Sequence, residues 1–175
     1  MGCDHLIHHG IKGQKWGVRR TPEQLGNKLS KKSPRITLEN GDYLYMKGTV
    51  VGRCGEPLTP GIRTYLYTNQ HDKEIYKRRF SSGEYTYKLK KSVKVPNKVN
   101  AILELYNCIG DRQIIEDPYE YWKDHIDVDT DISKRYFKYM EKLGYDALPD
   151  IRDTGYEKAT DPLIMPNPEK CLKEV

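Results

Sequence analysis

Two acid-rich stretches hold the side chains best suited to chemistry in this 175-residue chain. "DIRDTGYEKATD" (150–161) follows an expected strand and carries Asp150 and Asp153. Paired carboxylates at a strand end position a ribose or stabilise a cationic centre, and they also solvate plain loops. Composition alone favours the loop. "DHIDVDTD" (124–131) sets out Asp124, Asp127, Asp129 and Asp131 in the manner of a cation loop. It lacks the glycine and closing glutamate of a calcium hand, so a capped helix start is expected. Cys3, His5, His8 and His9 are all zinc-ligand types, but their spacing fits no standard finger and no metal is expected. Cys108 could meet His125 or His71 as a nucleophile pair only through the fold, and ordinary half-buried residues are the expectation there. There is no GxSxG, no phosphate-cradling Walker loop and no HExxH.

The elements that must position these groups show in the patterning. "DYLYMKGTV" (42–50), "IRTYLYT" (62–68) and "EYTYKLK" (84–90) read as strands, and "GRCGEPLTPG" (52–61) reads as a loop. Tyr85, Tyr87 and Leu89 share one face of the third strand. "NQHDKEIYKRRF" (69–80) has Asn69 as a cap, acids early and Lys77, Arg78 and Arg79 late, the charge order of a helix. "VNAILELYNCIG" places Val99, Ile102, Leu103 and Tyr106 on one helical face, with Gly110 as the stop. "DPYEYWKDHI" starts a helix at Pro118 behind Asp117, and 131–144 forms another through Ile132, Tyr136, Tyr139, Met140 and Leu143. "YDAL" and "LIM" close the chain as strands. Strands and helices mix without a βαβ rhythm, so the fold class is α+β with a mainly antiparallel sheet and flanking helices.

Composition divides the chain into a basic, flexible N-terminal arm (1–40) and one domain (41–175). Between Lys12 and Arg35 there are eight Lys or Arg and one acid, Glu23, whereas the whole chain carries a net charge of only +5. That mild excess is weaker than a dense nucleic-acid-binding domain would show. Hydrophobic residues make up 37% of the chain, and 14 Tyr against two Phe and two Trp imply a thin core with half-wet aromatic surfaces. Four scattered cysteines without a CxxC pair point to a reducing compartment. No signal-peptide core and no membrane-spanning run occur. "MGC" resembles an acylation signal, but Leu6 stands where Ser or Thr is needed.

Two stretches resemble known sequences. "HHGIKGQKWGVRR" (8–20) closely resembles a short tag that recurs near the ends of otherwise unrelated proteins of tailed bacteriophages. "KLGYDALPDIRDTGYEKATDPLIMPNPEKCLK" (142–173) is similar to the closing segment of phage-borne ADP-ribosyltransferase-like domains. "YLYMKGTV", "TYLYTNQHDKEIY" and "YTYKLKKSVKVP" follow that family's upstream order more loosely. The resemblance implies an ADP-ribosyltransferase-like split sheet and NAD as the possible cofactor. In such a site a first-strand Arg or His grips the dinucleotide, a Ser/Thr element shapes the nicotinamide pocket and an acid faces the oxocarbenium-like centre. The matching positions here are Tyr45 and Lys47 on the first strand, Thr64 and Thr68 in the middle, and Asp150 and Asp153 as catalytic acids. No Arg or His stands at 45–47, and no ExE precedes the final strands. These departures imply a fold kept without its full chemistry.

The first expectation is therefore a phage accessory protein, associated with the virion or head assembly. Its arm would dock on a phage structural or assembly protein through Lys12, Lys15, Trp16, Arg19 and Arg20, since aromatic and arginine anchors dominate interfaces. The alternatives are an active mono-ADP-ribosyltransferase acting on a bacterial host target, and a nucleic-acid-associated protein binding through the basic arm. The virion or the host cytoplasm is the expected location, with no membrane partner.

Overall fold

A computed structural model describes residues 28–80 and 82–175. The chain begins with β1 (Arg35–Thr37), β2 (Tyr43–Tyr45), β3 (Val50–Cys54) and β4 (Thr64–Leu66), followed by α1 (Gln70–Arg79). Next come β5 (Glu84–Leu89), β6 (Val93–Val95), α2 (Lys98–Ile109), α3 (Gln113–Glu116), α4 (Pro118–His125) and α5 (Asp131–Lys142). It closes with β7 (Leu148–Pro149), α6 (Ile151–Tyr156), β8 (Leu163–Met165), α7 (Pro168–Cys171) and β9 (Leu172–Glu174). The described strands form three small sheets of order β1-β2-β6, β3-β5-β9 and β4-β8-β7, with every strand pairing antiparallel. The fold is α+β, as expected.

Gly52 joins two of the sheets. Its N–H donates to the Tyr67 carbonyl and its carbonyl accepts from the Tyr67 N–H, both at 2.9 Å, while the same residue pairs with Thr86 on β5. A Cβ at this position would lie 2.1 Å from the Tyr67 ring, so only glycine lets the two backbones approach. Residues 42–50, expected as one strand, are split between β2 and β3 in different sheets. The break is a turn in which Thr49 N–H donates to Met46 O at 3.0 Å and Gly48 takes a φ of 85°. The expected loop at 52–61 begins later than thought, because Gly52–Cys54 completes β3.

The arm also ends earlier than composition indicates. β1 pairs with β2, placing Arg35 opposite Tyr45, and Ser30 accepts a backbone hydrogen bond from Gln70 at 3.0 Å. Arg35 packs over the Tyr43 ring at 3.6 Å and pairs with Asp161. Backbone pairing, one ion pair and the packing of Leu29 against Cys54, Tyr67 and Tyr76 hold this largely polar segment.

Helix starts follow local chemistry. Asn69, Asn97 and Asp117 each accept from a backbone N–H of the first turn of α1, α2 and α4. Thr130 and Ser133 form a reciprocal capping box on α5, so the 124–131 run ends in a capped helix start, its earlier residues closing α4 and forming the connection. One expected face is reversed. In α2 Val99, Leu103 and Tyr106 are exposed, Ala101, Leu105 and Cys108 are buried, and of the expected face only Ile102 packs inward. The Tyr136 hydroxyl donates to the Ala101 carbonyl at 2.7 Å. A bulky residue at 101 would hold α5 away; the small one lets that ring in.

The core divides into three apolar clusters. The first lies among the sheets around Tyr45, Val51, Leu66 and Met165. The second, built on Leu105, Trp122, Ile126, Tyr136 and Met140, sits under the helices. The third is the small group Cys54, Tyr67 and Tyr76. Each contains one buried thiol: Cys171, Cys108 and Cys54 respectively. Among the described residues no helix is long and apolar enough to cross a membrane.

Candidate functional site

The end of β3, the last turn of α1, the α4–α5 connection and the start of α6 enclose a cavity of about 450 Å³. Asp127, Asp150, Asp153 and Glu56 line it together with Arg53, Arg79 and Arg152. α6 stands where sequence composition favoured an acidic loop; it forms because Asp150 caps it, accepting from the Asp153 N–H at 3.0 Å. That cap points Asp153 inward. Its Oδ2 accepts from the Tyr76 hydroxyl at 2.6 Å and its Oδ1 from Arg79 at 2.8 Å. Only 4% of the Asp153 side chain is exposed, against 26% for Arg79.

Asp127 is held from behind. The Tyr65 hydroxyl donates to its carbonyl at 2.9 Å, and Arg63 donates to the Ile126 carbonyl at 2.6 Å. Its Oδ2 lies 3.8 Å from Arg152 Nε, while its Oδ1 is buried with no hydrogen-bond partner. Arg53 donates to Thr64 Oγ1, and its Nε is likewise buried and unpartnered.

Burial sets the charge balance here. Loss of water pushes the Asp127 carboxyl up to about 6, against the pull of Arg152. The folded value lies above the unfolded one, so the stabilisation from this group is complete below about pH 4 and is lost as the pH rises through about 6. Burial, together with the nearby Asp127 and Asp153 charges, raises the Asp150 carboxyl well above its ordinary range. Burial also works against the Arg79 charge, but the hydrogen bond and charge of Asp153 more than offset it. Below about pH 6, with Asp127 protonated and Asp150 shifted the same way, the three arginines outnumber Asp153 and Glu56 and the cavity favours an anion.

The structure brings Asp150 and Asp153 together in this cavity, while Thr64 is fully buried and does not line it, accepting from Arg53, which does. It separates the other candidates from them. Tyr45 is fully buried in the sheet core. Lys47 is exposed, its backbone N–H donating to Ser92 Oγ at 3.2 Å. Thr68 is buried, its hydroxyl donating to the Asp161 carbonyl at 3.3 Å. Lys12, Lys15, Trp16, Arg19 and Arg20 lie outside the described residues, as do Cys3, His5, His8 and His9. Among the described residues no group of three or more His, Cys, Asp or Glu is arranged to hold a metal ion.

The chain matches no known protein family, no curated protein and no solved structure. Its site thus stands on its own geometry. Sequence reasoning missed Arg53, Tyr65, Tyr76, Arg79, Asp127 and Arg152. Arg79 had been assigned to the helix dipole and Asp127 to a helix start, and both local roles were compatible with a second, long-range one. The available signal was Arg152, flanked by the two candidate acids in "DIRD".

Proposed function

We propose that this chain is an accessory protein of a tailed bacteriophage whose domain is an ADP-ribosyltransferase-like fold. In this reading the domain holds an ADP-ribosyl dinucleotide in the arginine-lined cavity without transferring it. The tag-like stretch at 8–20 supports the phage origin, and the resemblance over 142–173 supports the fold. One observation carries the loss of transfer: both Asp153 oxygens are taken by Tyr76 and Arg79, while burial and the neighbouring acids push the Asp150 carboxyl well above its ordinary range. Neither acid offers a free carboxylate to a cationic sugar centre, yet Arg53 and Arg152 remain in the cavity to meet phosphates.

Thermal unfolding with NAD or ADP-ribose tests this reading. A hundredfold excess over Kd stabilises by roughly 3 kcal/mol, a rise of about 5–10 °C for a chain of this size. The expected result is that rise with no nicotinamide released from NAD. Nicotinamide release with labelling of a host protein would replace this reading with the active transferase, and no shift with either ligand would overturn the cavity assignment. Residues 8–20 serve as the docking element on a phage structural or assembly protein. Deleting residues 1–20 is expected to abolish incorporation into particles; undiminished incorporation would refute the docking role.

A further inference from the structure

One large apolar ring stands open in the arginine-lined cavity. Among the exposed large hydrophobic residues of the described chain, Phe80 alone lines the 450 Å³ cavity, with 42% of its surface open. Apolar residues scattered singly over a surface need no explanation, but this one sits among charged groups inside a cleft. The backbone fixes its place: Phe80 closes α1, its N–H donating to the Tyr76 carbonyl at 3.0 Å. Its ring runs nearly parallel to that of Tyr76, with 12° between planes and 6.3 Å between centroids, an offset stack. Tyr76 is in turn held by its hydroxyl bond to Asp153. At the edge of the Phe80 ring stands Gly55, where a Cβ would lie 3.9 Å from Cδ1. Gly55 takes a φ of 101° and its N–H donates to the Ser82 and Gly83 carbonyls, both at 3.0 Å. The end of β3 thus presents bare backbone beside the ring, and no side chain covers it there.

A phenylalanine ring has no hydrogen-bonding group, so what it offers a ligand is a flat π face. Planar bases stack on such faces in many nucleotide sites. The Arg79 guanidinium lies 5.6 Å from the Phe80 centroid and 5.9 Å from that of Tyr76, fixed there by Asp153 at 2.8 Å. A cation this near draws on the π electrons of the ring. The stack then favours a neutral, electron-rich partner over a positively charged one. Of the two bases of a dinucleotide, adenine is neutral, whereas the nicotinamide ring of NAD carries a positive charge. We infer that Phe80 is the adenine-stacking residue of this cavity, holding the base against the end of α1 while Arg53 and Arg152 meet the diphosphate. This assignment rests on the dinucleotide reading of the cavity and adds an orientation to it, by fixing which end of the ligand lies on the aromatic pair.

Binding calorimetry on the full chain tests the assignment, run at about pH 5.5, below the value of about 6 at which Asp127 gives up its proton. Cutting a stacked ring to alanine costs roughly tenfold in affinity or more. Phe80→Ala should therefore weaken ADP-ribose and ADP by about that factor and leave inorganic pyrophosphate unchanged. Phe80→Leu, apolar but without a π face, should stay weak, and Phe80→Trp should restore the affinity. The wild type should prefer AMP to nicotinamide mononucleotide, and that preference should narrow about tenfold in Phe80→Ala. Equal loss of pyrophosphate binding would assign Phe80 to the shape of the cavity alone and overturn the inference. So would undiminished ADP-ribose binding in Phe80→Ala, full affinity in Phe80→Leu, or a wild type that prefers nicotinamide mononucleotide. In each of these cases ADP-ribose still binds the wild type, and the dinucleotide reading stands. If ADP-ribose fails to bind the wild type, the dinucleotide reading itself is overturned, and the inference falls with it.

Discussion

Asp72→Ala is expected to lower the thermal midpoint by on the order of 10 °C. Asp72 is fully buried, and its carboxylate gathers donors from two distant parts of the chain. It accepts from the Thr160 N–H at 2.8 Å, the Thr160 hydroxyl at 3.0 Å and the Asp161 N–H at 2.8 Å. Asn69 Nδ2 adds a fourth at 3.1 Å, and the position in the first turn of α1 suits a negative charge. Alanine leaves the buried Asp161 amide without an acceptor, at roughly 1–3 kcal/mol, and also removes the acceptor of the Thr160 amide and hydroxyl. Asp72→Asn retains one acceptor oxygen and should fall about midway. Calorimetric melting of the three proteins decides it. A midpoint for the alanine variant within about 3 °C of wild type would mean that the 158–161 segment does not depend on this carboxylate.

Arg79→Met is expected to cost far more than Asp153→Asn, although both cut the same ion pair. The two partners differ in what they leave behind. Removing Arg79 leaves a carboxylate that is 4% exposed with Tyr76 as its nearest donor and only Arg152, 4.0 Å away, as a counter-charge; breaking a buried pair costs up to about 3–5 kcal/mol. Removing the Asp153 charge leaves a guanidinium that already reaches solvent, and the asparagine oxygen still accepts from Tyr76, so about 1 kcal/mol is lost. The variants should also diverge in binding. Asp153→Asn releases Arg79 into the cavity and should tighten ADP-ribose severalfold, whereas Arg79→Met should weaken it. Equal destabilisation by the two substitutions would contradict the burial argument, and loss of binding in Asp153→Asn would show that the acid itself holds the ligand.

The parts of this structure that were legible in the sequence are those decided within a few residues. Asn69, Asp117 and Gly110 mark helix ends because a cap needs only its own first turn or a single φ of 81°. The reversed face of α2 shows where that stops. Asn100, Glu104 and Asn107 form a narrow polar stripe opposite Ile102, Leu105 and Ile109, and the expected face, which took in Leu103 and Tyr106, was set too close to that stripe. The choice was made by Tyr136 reaching the Ala101 carbonyl from another helix. The site divides similarly. Asp150 and Asp153 were visible as a pair, but Asp127 and Arg79 join them only after the α4–α5 connection and the end of α1 fold onto α6. The β2–β3 break escaped notice because alternation runs unbroken through 42–50 on either side of one glycine.

The distribution of thiols has a practical consequence. Cys54, Cys108 and Cys171 sit one to a cluster and are unmodified, with no disulfide to constrain them. A thiol reagent reaches Cys108 and Cys171 only when their clusters open, whereas Cys54 lines the 450 Å³ cavity and meets any reagent small enough to enter it. Labelling rates in native buffer, resolved by peptide mapping, therefore give two local opening free energies and one report of cavity access from a single unmutated sample. The protein carries its own set of reporters for which of its clusters yields first.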